Sequence, residues 1–343
     1  MPKPANYDAI LIVSFGGPEK KEDVIPFLEN VLRGKPVPRE RMLEVAEHYY
    51  HFDGVSPINE QNRQLIAALE NELSENGPQL PVYWGNRNWH PLLTETLRAM
   101  RDAGVKRAIA FFTSAFSSYS GCRQYRENIT TAQAEVGAEA PQVDKLRLFF
   151  NHPLFIQTMQ ERVADALLQI PQERHPTTKL IYTAHSIPHS MAENCRYELQ
   201  LRESCKLVSD LFPSLDWALV YQSRSGPPSQ PWLEPDVCAY LSELKQNSSM
   251  TDVIIVPIGF VSDHMEVLFD LDTEAKEHCE KLGMNMIRAA TAGTHPLFIR
   301  MIRELIEERM TAAETRPALG ELGPSHDVCP EDCCLYTPAR RPT

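Results

Sequence analysis

The chain of 343 residues carries 46 acidic against 34 basic side chains, a net charge of −12, which argues against general binding to nucleic acid or anionic lipid. Apolar residues at 43% and charged residues at 23% exclude disorder as the overall state and suit two cores of ordinary size. No apolar run approaches the roughly 18 residues of a membrane span, and the opening MPKPAN has neither a signal h-region nor a basic amphipathic leader, so a cytoplasmic protein without a transmembrane anchor is expected.

YDAILIVSF (7–15) is a short apolar run rich in β-branched residues, ending at Gly16-Gly17-Pro18. It predicts a buried strand and a turn. The stretch LRGKPVPRERM (32–42) then stands out against the acidic background, with Arg33, Lys35 and Arg41 available to meet ligand carboxylates. In HYYHFDGVSPINEQN (48–62), Gly54, Ser56 and Pro57 predict a turn beside aromatic residues that suit a flat, acidic ligand; an ordinary loop fits the composition equally well. Leu65, Ile66, Leu69 and Leu73 make a helical stripe, as do Phe155, Met159, Val163 and Leu167. Further strands are predicted at 80–85, 105–112, 145–150, 179–184, 217–222 and 252–260. Strands alternating with helices imply an α/β fold of parallel sheets covered on both faces. A boundary is expected near 139–144, giving units 6–140 and 145–314, then a proline-, glycine- and cysteine-containing extension over 315–343.

NHPLFIQTMQERV (151–163), THPLFIRMIRELI (294–306) and, more loosely, WHPLLTETLRAM (89–100) repeat one corner. Each puts a proline where a first helical turn tolerates its missing N–H. His90, His152 and His295 read as corner residues rather than ligands.

Four stretches carry chemistry. YTAHSIPHS places His185 directly after a strand, where open α/β sheets bind ligands; a structural histidine is the alternative. PIGFVSDHMEVLFDLDTEA follows another buried strand, with Ser262 or Asp263 expected to cap a helix. Glu266, Asp270 and Glu274 then share a helical face, either as a solvated acidic face or as a relay for cations or protons. A carboxylate and an imidazole together suit a borderline metal such as Fe²⁺. FFTSAFSSYSGCRQYREN is rich in hydroxyls and contains Cys122, Tyr125 and Arg126, but the chain has neither a GxxxxGK nor a GxGxxG pattern, so nucleotide binding lacks support. Cys329, Cys333 and Cys334 crowd into six residues; with Cys122 as the fourth ligand they suit zinc or an iron–sulfur group. Cys195, Cys205, Cys238 and Cys279 are expected to pack in or against helices.

ILIVSFGGP, FDGVSPINEQ, FFTSAFSSYSGCRQY, YTAHSIP and VPIGFVSDHMEVLFDLDTEA, taken together, resemble the ferrochelatases, which insert iron into a porphyrin. The resemblance covers nearly the whole chain. It implies the chelatase fold, two Rossmann-like domains with parallel sheets around a cleft and no nucleotide. It implies that His185 is the catalytic metal-site histidine, Glu266 its partner across the cleft, and Asp270 and Glu274 the outer acidic ladder. Ser56 and Tyr125 resemble porphyrin contacts, and Arg33 joins them by its charge. Phe15 stands where some bacterial members carry a tyrosine that ligates product iron, so that oxygen ligand is missing here. Cys122, Cys329, Cys333 and Cys334 resemble the [2Fe–2S] attachment of certain members, although the C-x-x-x-C-C spacing departs from the commoner one. The charged stretch before residue 42 looks more like the soluble branch that takes coproporphyrin III, with Fe²⁺ as co-substrate and haem-pathway proteins as further partners. A protoporphyrin IX ferrochelatase stays open, and so does a haem or metal carrier without turnover.

Overall fold

The computed structural model describes residues 5–34, 37–227 and 229–336. Strands β1 (Ala9–Ser14), β2 (Val82–Asn86), β3 (Arg107–Phe112) and β4 (Gln142–Lys145) form one parallel sheet in the order β2-β1-β3-β4. Strands β5 (Thr178–His185), β6 (Trp217–Gln222), β7 (Asp252–Val256) and β8 (Asn285–Arg288) form a second in the same order, β6-β5-β7-β8. The order reverses between β1 and β3 and again between β5 and β7. The carboxyl ends of strands at such a reversal are where open α/β sheets hold ligands. Central strands β1 and β7 are buried throughout and edge strand β8 is half-exposed, which explains the continuous apolar runs in the former.

Helices α1 (Val24–Leu32), α2 (Arg39–Tyr50) and α3 (Ile58–Asn76) fill the crossover from β1 to β2. Helices α4 (Leu93–Asp102) and α5 (Gln124–Val136) complete the first half, and α6 (Pro153–Leu167) leads into the second. Helices α7 (His189–Ala192), α8 (Tyr197–Ser209) and α9 (Val237–Asn247) flank β6. Between β7 and β8 one rod runs through α10 (Met265–Val267), a π-helical stretch (Leu268–Ala275) and α11 (Lys276–Leu282). Helix α12 (Pro296–Thr311) returns to the first half, where Arg303 Nε donates to Glu72 Oε1 of α3 at 2.7 Å. No helix among the described residues is long and apolar enough to cross a membrane.

The stripe residues Leu65, Leu69 and Leu73 of α3 and Phe155, Met159 and Val163 of α6 are buried in one core that takes in both sheets. Residues 146–150, expected as strand, depart from that reading. β4 ends at Lys145, and Leu146, Leu148, Phe149 and Phe150 pass between the sheets into the shared core, with Arg147 buried against Glu308 at 2.7 Å. A run buried on all sides has no period with which to mark a strand.

The repeated corner has a physical basis. His152 and His295 each accept, through Nδ1, the backbone N–H two residues on at 3.3 Å, capping α6 and α12 ahead of the proline. His90 differs: it pairs with Glu95 at 3.1 Å.

Candidate functional site

β5 ends on His185, in register with Gln222 of β6. The backbone there is fixed from both sides. Ser186 N donates to Gln222 O at 2.8 Å, Ser186 Oγ to Leu233 O at 2.8 Å, and the Tyr197 hydroxyl to His185 O at 3.1 Å. The imidazole Nδ1 lies 2.5 Å from the Ser186 carbonyl. A carbonyl only accepts, so Nδ1 carries the hydrogen, and Nε2 is the ring nitrogen that faces Glu266.

Glu266 was expected across the cleft, but it comes from the loop after β7, the neighbouring strand of the same sheet, and so stands on the same side as His185. Gly259 N donates to Thr183 O at 3.0 Å, and a Cβ on Gly259 would stand 2.7 Å from the Ala184 backbone. Only glycine allows this close approach. It seats residues 257–264 against the end of β5, and Glu266 Oε2 reaches 3.7 Å from His185 Nε2. Both side chains are partly exposed to the cleft.

Sequence reading expected Ser262 or Asp263 to cap the helix carrying Glu266. The cap is His264, whose Nδ1 accepts from Glu266 N at 3.2 Å. Asp263 is taken by Arg288 at 3.0 Å and Ser262 is buried. His264 thus repeats the ring cap of His152 and His295 inside the cleft. Burial, aided by His185, lowers its pKa, while Glu266 opposes the shift. The signal for it was its place two residues before Glu266, matching the other caps.

The acidic ladder stands partly on π-helix. Residues four apart overshoot one turn of an α-helix and fall short of one turn when bonding is i→i+5. Passing from one to the other keeps Glu266, Asp270 and Glu274 in a column. Asp270 accepts from the Ser223 hydroxyl, and from Gln222 Nε2 at 3.3 Å; that amide also donates to Glu266 O at 3.2 Å. Burial pushes the Asp270 carboxyl up to about 7. Glu274 is raised by burial and then by Asp236 and Glu277, so Asp236 extends the column outward. Gln222, Ser223 and Asp236 had no mark in the sequence, because they arrive from β6 and the loop after it.

Helix α2 closes the cleft from the first half. The His48 ring stacks on Phe269 at 3.9 Å. The neighbouring Tyr49 phenol is pushed up in pKa by burial and then by Glu266.

The expected porphyrin contacts fall into three situations. Phe15 follows β1 and packs edge-on against Phe27 at 6.2 Å. Tyr125 is buried, and the Arg87 guanidinium lies over its ring at 4.5 Å and over Phe15 at 5.6 Å. Arg87, which sequence reading passed over, therefore joins the two. Ser56 is buried against Gly17. Arg33 is exposed and donates to Asn30 Oδ1 at 2.5 Å, while Arg41 pairs with Glu44 at 2.7 Å. Lys35 lies outside the described residues.

A second cluster lies beneath the tail. Cys122, Cys329, Cys333 and Cys334 line one cavity of about 340 Å³, with Cys195, His326 and Lys145. Cys195 packs against the end of α7 as expected, its thiol donating to Met191 O at 3.3 Å, and also borders this cavity. Interaction between the Cys122 and Cys329 side chains pushes the Cys122 thiol up in pKa and Cys329 down. Cys333 Sγ is 3.5 Å from Cys334 Sγ, an approach made by a left-handed backbone at Cys334, φ 57°. The ligand atoms of His326, Cys329 and Cys333 lie within 4.8 Å of one another. Four sulfurs from two distant stretches around one cavity fit a thiophilic metal group.

The tail also makes hydrogen bonds of its own to the body. Asn151 Nδ2 donates to Leu319 O and Gly323 O at 3.0 and 2.9 Å, and Glu203 Oε2 accepts from Glu321 N and Leu322 N at 2.8 and 3.0 Å. Arg123 Nη1 donates to Cys333 O at 3.0 Å.

A ferrochelatase family model matches residues 7–310. A ferrochelatase of Rhodopirellula baltica is 63% identical over 336 residues, 98% of this chain and 95% of that protein. A coproporphyrin III ferrochelatase of Streptomyces coelicolor is 49% identical over 358 residues, 98% and 94% of the two chains. Among solved structures, SirB from Bacillus subtilis with Fe³⁺ shares the fold, with a TM-score of 0.56 at 13% identity over 91% of this chain and 99% of that one. A match over this much of the chain, at these identities, makes the protein a member of the ferrochelatase family.

Proposed function

We propose that this protein inserts Fe²⁺ into coproporphyrin III and releases two protons, a step of haem biosynthesis, with His185 and Glu266 as the catalytic pair. The observation that carries the reading is the 3.7 Å approach of His185 Nε2 to Glu266 Oε2 from two strand ends at a topological switch point. Metallation removes two pyrrole N–H protons as iron enters. His185 Nε2 accepts a proton from a pyrrole nitrogen, and Glu266 stands next in line. Nitrogen and oxygen donors together also suit Fe²⁺. Asp270, poised near neutrality by burial, and Glu274 carry protons or incoming iron along the column.

The branch is argued from charge and kinship. Relatives such as the one from Streptomyces coelicolor are named for coproporphyrin III, whose four carboxylates favour cationic partners. Arg33 and Lys35 precede α2 in sequence and Arg41 lies in its first turn. In this reading Phe15 and the Arg87 guanidinium line the porphyrin side, with Tyr125 supporting Arg87 and Ser56 holding the Gly17 turn. Phe15 has no oxygen to give iron, so product is released without that ligand. Units 6–140 and 145–314 form the two walls, and 315–343 the extension. The reaction is placed in the cytoplasm, with haem-pathway proteins as partners.

We assign Cys122, Cys329, Cys333 and Cys334 to a [2Fe–2S] cluster, supported by their convergence on one cavity. When bound, such a group supplies one-electron redox chemistry and a cross-link between tail and body.

An anaerobic competition assay with Fe²⁺ and equal concentrations of coproporphyrin III and protoporphyrin IX tests the reading. Coproporphyrin III is expected to be consumed first, and His185→Ala to abolish turnover with unchanged melting. Preference for protoporphyrin reverses the substrate assignment. Haem binding without porphyrin consumption makes the protein a carrier.

A further inference from the structure

The cavity beneath the tail holds one donor more than an iron–sulfur cluster needs. His326 Nε2 lies 3.8 Å from Cys333 Sγ, and its nearest ligand atom, Cys329 Sγ and Cys333 Sγ all fall within 4.8 Å of one another. Cys122 lines the same cavity from the body of the protein. Cys334 is not a member of that mutually close group, although its Sγ stands 3.5 Å from Cys333 Sγ; it is 3% exposed and lines the cavity with Cys195.

His326 is held in place. Its carbonyl accepts from Lys145 Nζ at 3.3 Å, and the next residue, Asp327, is gripped by Arg316 at 2.9 Å and Arg309 at 3.6 Å. Its ring is exposed, so a metal ion reaches it from solvent.

We propose that the tail has a second mode of loading, in which Cys122, Cys329, Cys333 and His326 close on a single tetrahedral divalent ion of the zinc class and leave Cys334 outside. Three thiolates and an imidazole are an established donor set for structural zinc. Zinc–sulfur and zinc–nitrogen bonds of about 2.3 and 2.0 Å set neighbouring ligand atoms roughly 3.5–4 Å apart, so the triad needs to contract by no more than about 1 Å. Cys334 Sγ stands close to Cys333 alone and is not among the three mutually close ligand atoms. A two-iron rhomb spreads its ligands over two metals and takes it in. The two modes thus share three cysteines and differ in the fourth ligand, His326 for the single ion and Cys334 for the cluster. The inference rests on the proposed cluster only for that contrast; the single-ion site stands on its own geometry.

Cobalt is the probe. Full-length protein from iron-limited cells, free of acid-labile sulfide, is titrated anaerobically with Co²⁺ and then with Zn²⁺. Thiolate-to-cobalt charge transfer marks this site, because Co²⁺ bound by His185 and Glu266 has no sulfur ligand. One cobalt per chain with that band is expected, displaced by Zn²⁺. His326→Ala is expected to weaken cobalt binding by at least about tenfold and to leave the iron and sulfide content of iron-replete protein unchanged. Cys334→Ser is expected to keep cobalt and lose the cluster. The proposal is overturned if wild type shows no thiolate band, if His326→Ala binds cobalt as wild type does, or if Cys334→Ser loses cobalt as fully as Cys329→Ser. Absence of iron and sulfide from iron-replete wild type, with the cobalt results as expected, removes the cluster assignment and leaves the single-ion site standing.

Discussion

The His48 imidazole lies flat on the Phe269 ring, centroids 3.9 Å apart and planes 8° from parallel, so α2 touches the π-helical segment directly. Burial and then Arg41 lower the His48 pKa, which keeps the ring neutral and stackable. His51 adds an edge contact to Phe269 at 6.3 Å. Phe269→Ala removes both contacts, at an expected cost of about 0.5–1.5 kcal/mol beyond the buried area. Loosening α2 should raise the KM for porphyrin more than that for Fe²⁺; urea melts and steady-state kinetics check both.

Asp270 makes stability depend on pH. Its folded pKa of about 7 lies above the ordinary value of 3.8, so the folded protein binds this proton more tightly than the unfolded chain does. The resulting stabilisation is full below about 3.8 and is lost as pH rises to about 7. Above that, the ionised buried carboxylate carries a penalty of roughly 4 kcal/mol relative to the protonated form. Asp270→Asn should therefore be more stable than wild type at pH 8, with the gain shrinking at pH 5. Denaturant melts at the two values test this.

The same column predicts a kinetic split. Glu274 lies outward of Asp270 and next to Asp236, away from the His185–Glu266 pair. Glu274→Gln should raise the KM for Fe²⁺ several-fold with little effect on the KM for porphyrin. Equal changes in both would assign the ladder a structural role.

Gly259 positions the loop that leads to Glu266. Adding a Cβ brings it within 2.7 Å of Ala184 Cα and Cβ, a clash with a central strand that cannot be relieved by rotating a side chain. Gly259→Ala should cost about 1–3 kcal/mol and move Glu266 away from His185. Turnover measured well below the melting temperature should fall by at least about tenfold, a loss of geometry separable from unfolding.

The tail is anchored by Glu203, which accepts two backbone N–H groups at 2.8 and 3.0 Å and an Asn151 amide at 3.2 Å. Glu203→Ala leaves those groups unpaired, at a cost of about 1–3 kcal/mol each where they stay buried. Protease should then cleave near residues 318–323 faster than in wild type, whereas Cys329→Ser, which removes a proposed metal ligand, should leave that region protected.

The sequence by itself determined the parallel α/β architecture, because the runs in β1, β5 and β7 are too apolar to face water and the stripes of α3 and α6 repeat at helical spacing. It also marked His185, Glu266 and the ladder, since a strand-end motif keeps chemically distinct residues close along the chain. It could not tell that His264, rather than Ser262 or Asp263, caps the helix. That choice was decided by Arg288, which arrives from β8 and occupies Asp263. Nor could it show that the 146–150 run leaves the sheet, because an apolar stretch buried on every side reads alike in a strand and between two layers. Arg87 between Phe15 and Tyr125, Gln222 and Ser223 on Asp270, and His326 among the cysteines all join segments far apart in the chain. Their roles come from side-chain distances of a few ångströms, which only the folding of each half, and of the tail on itself, fixes.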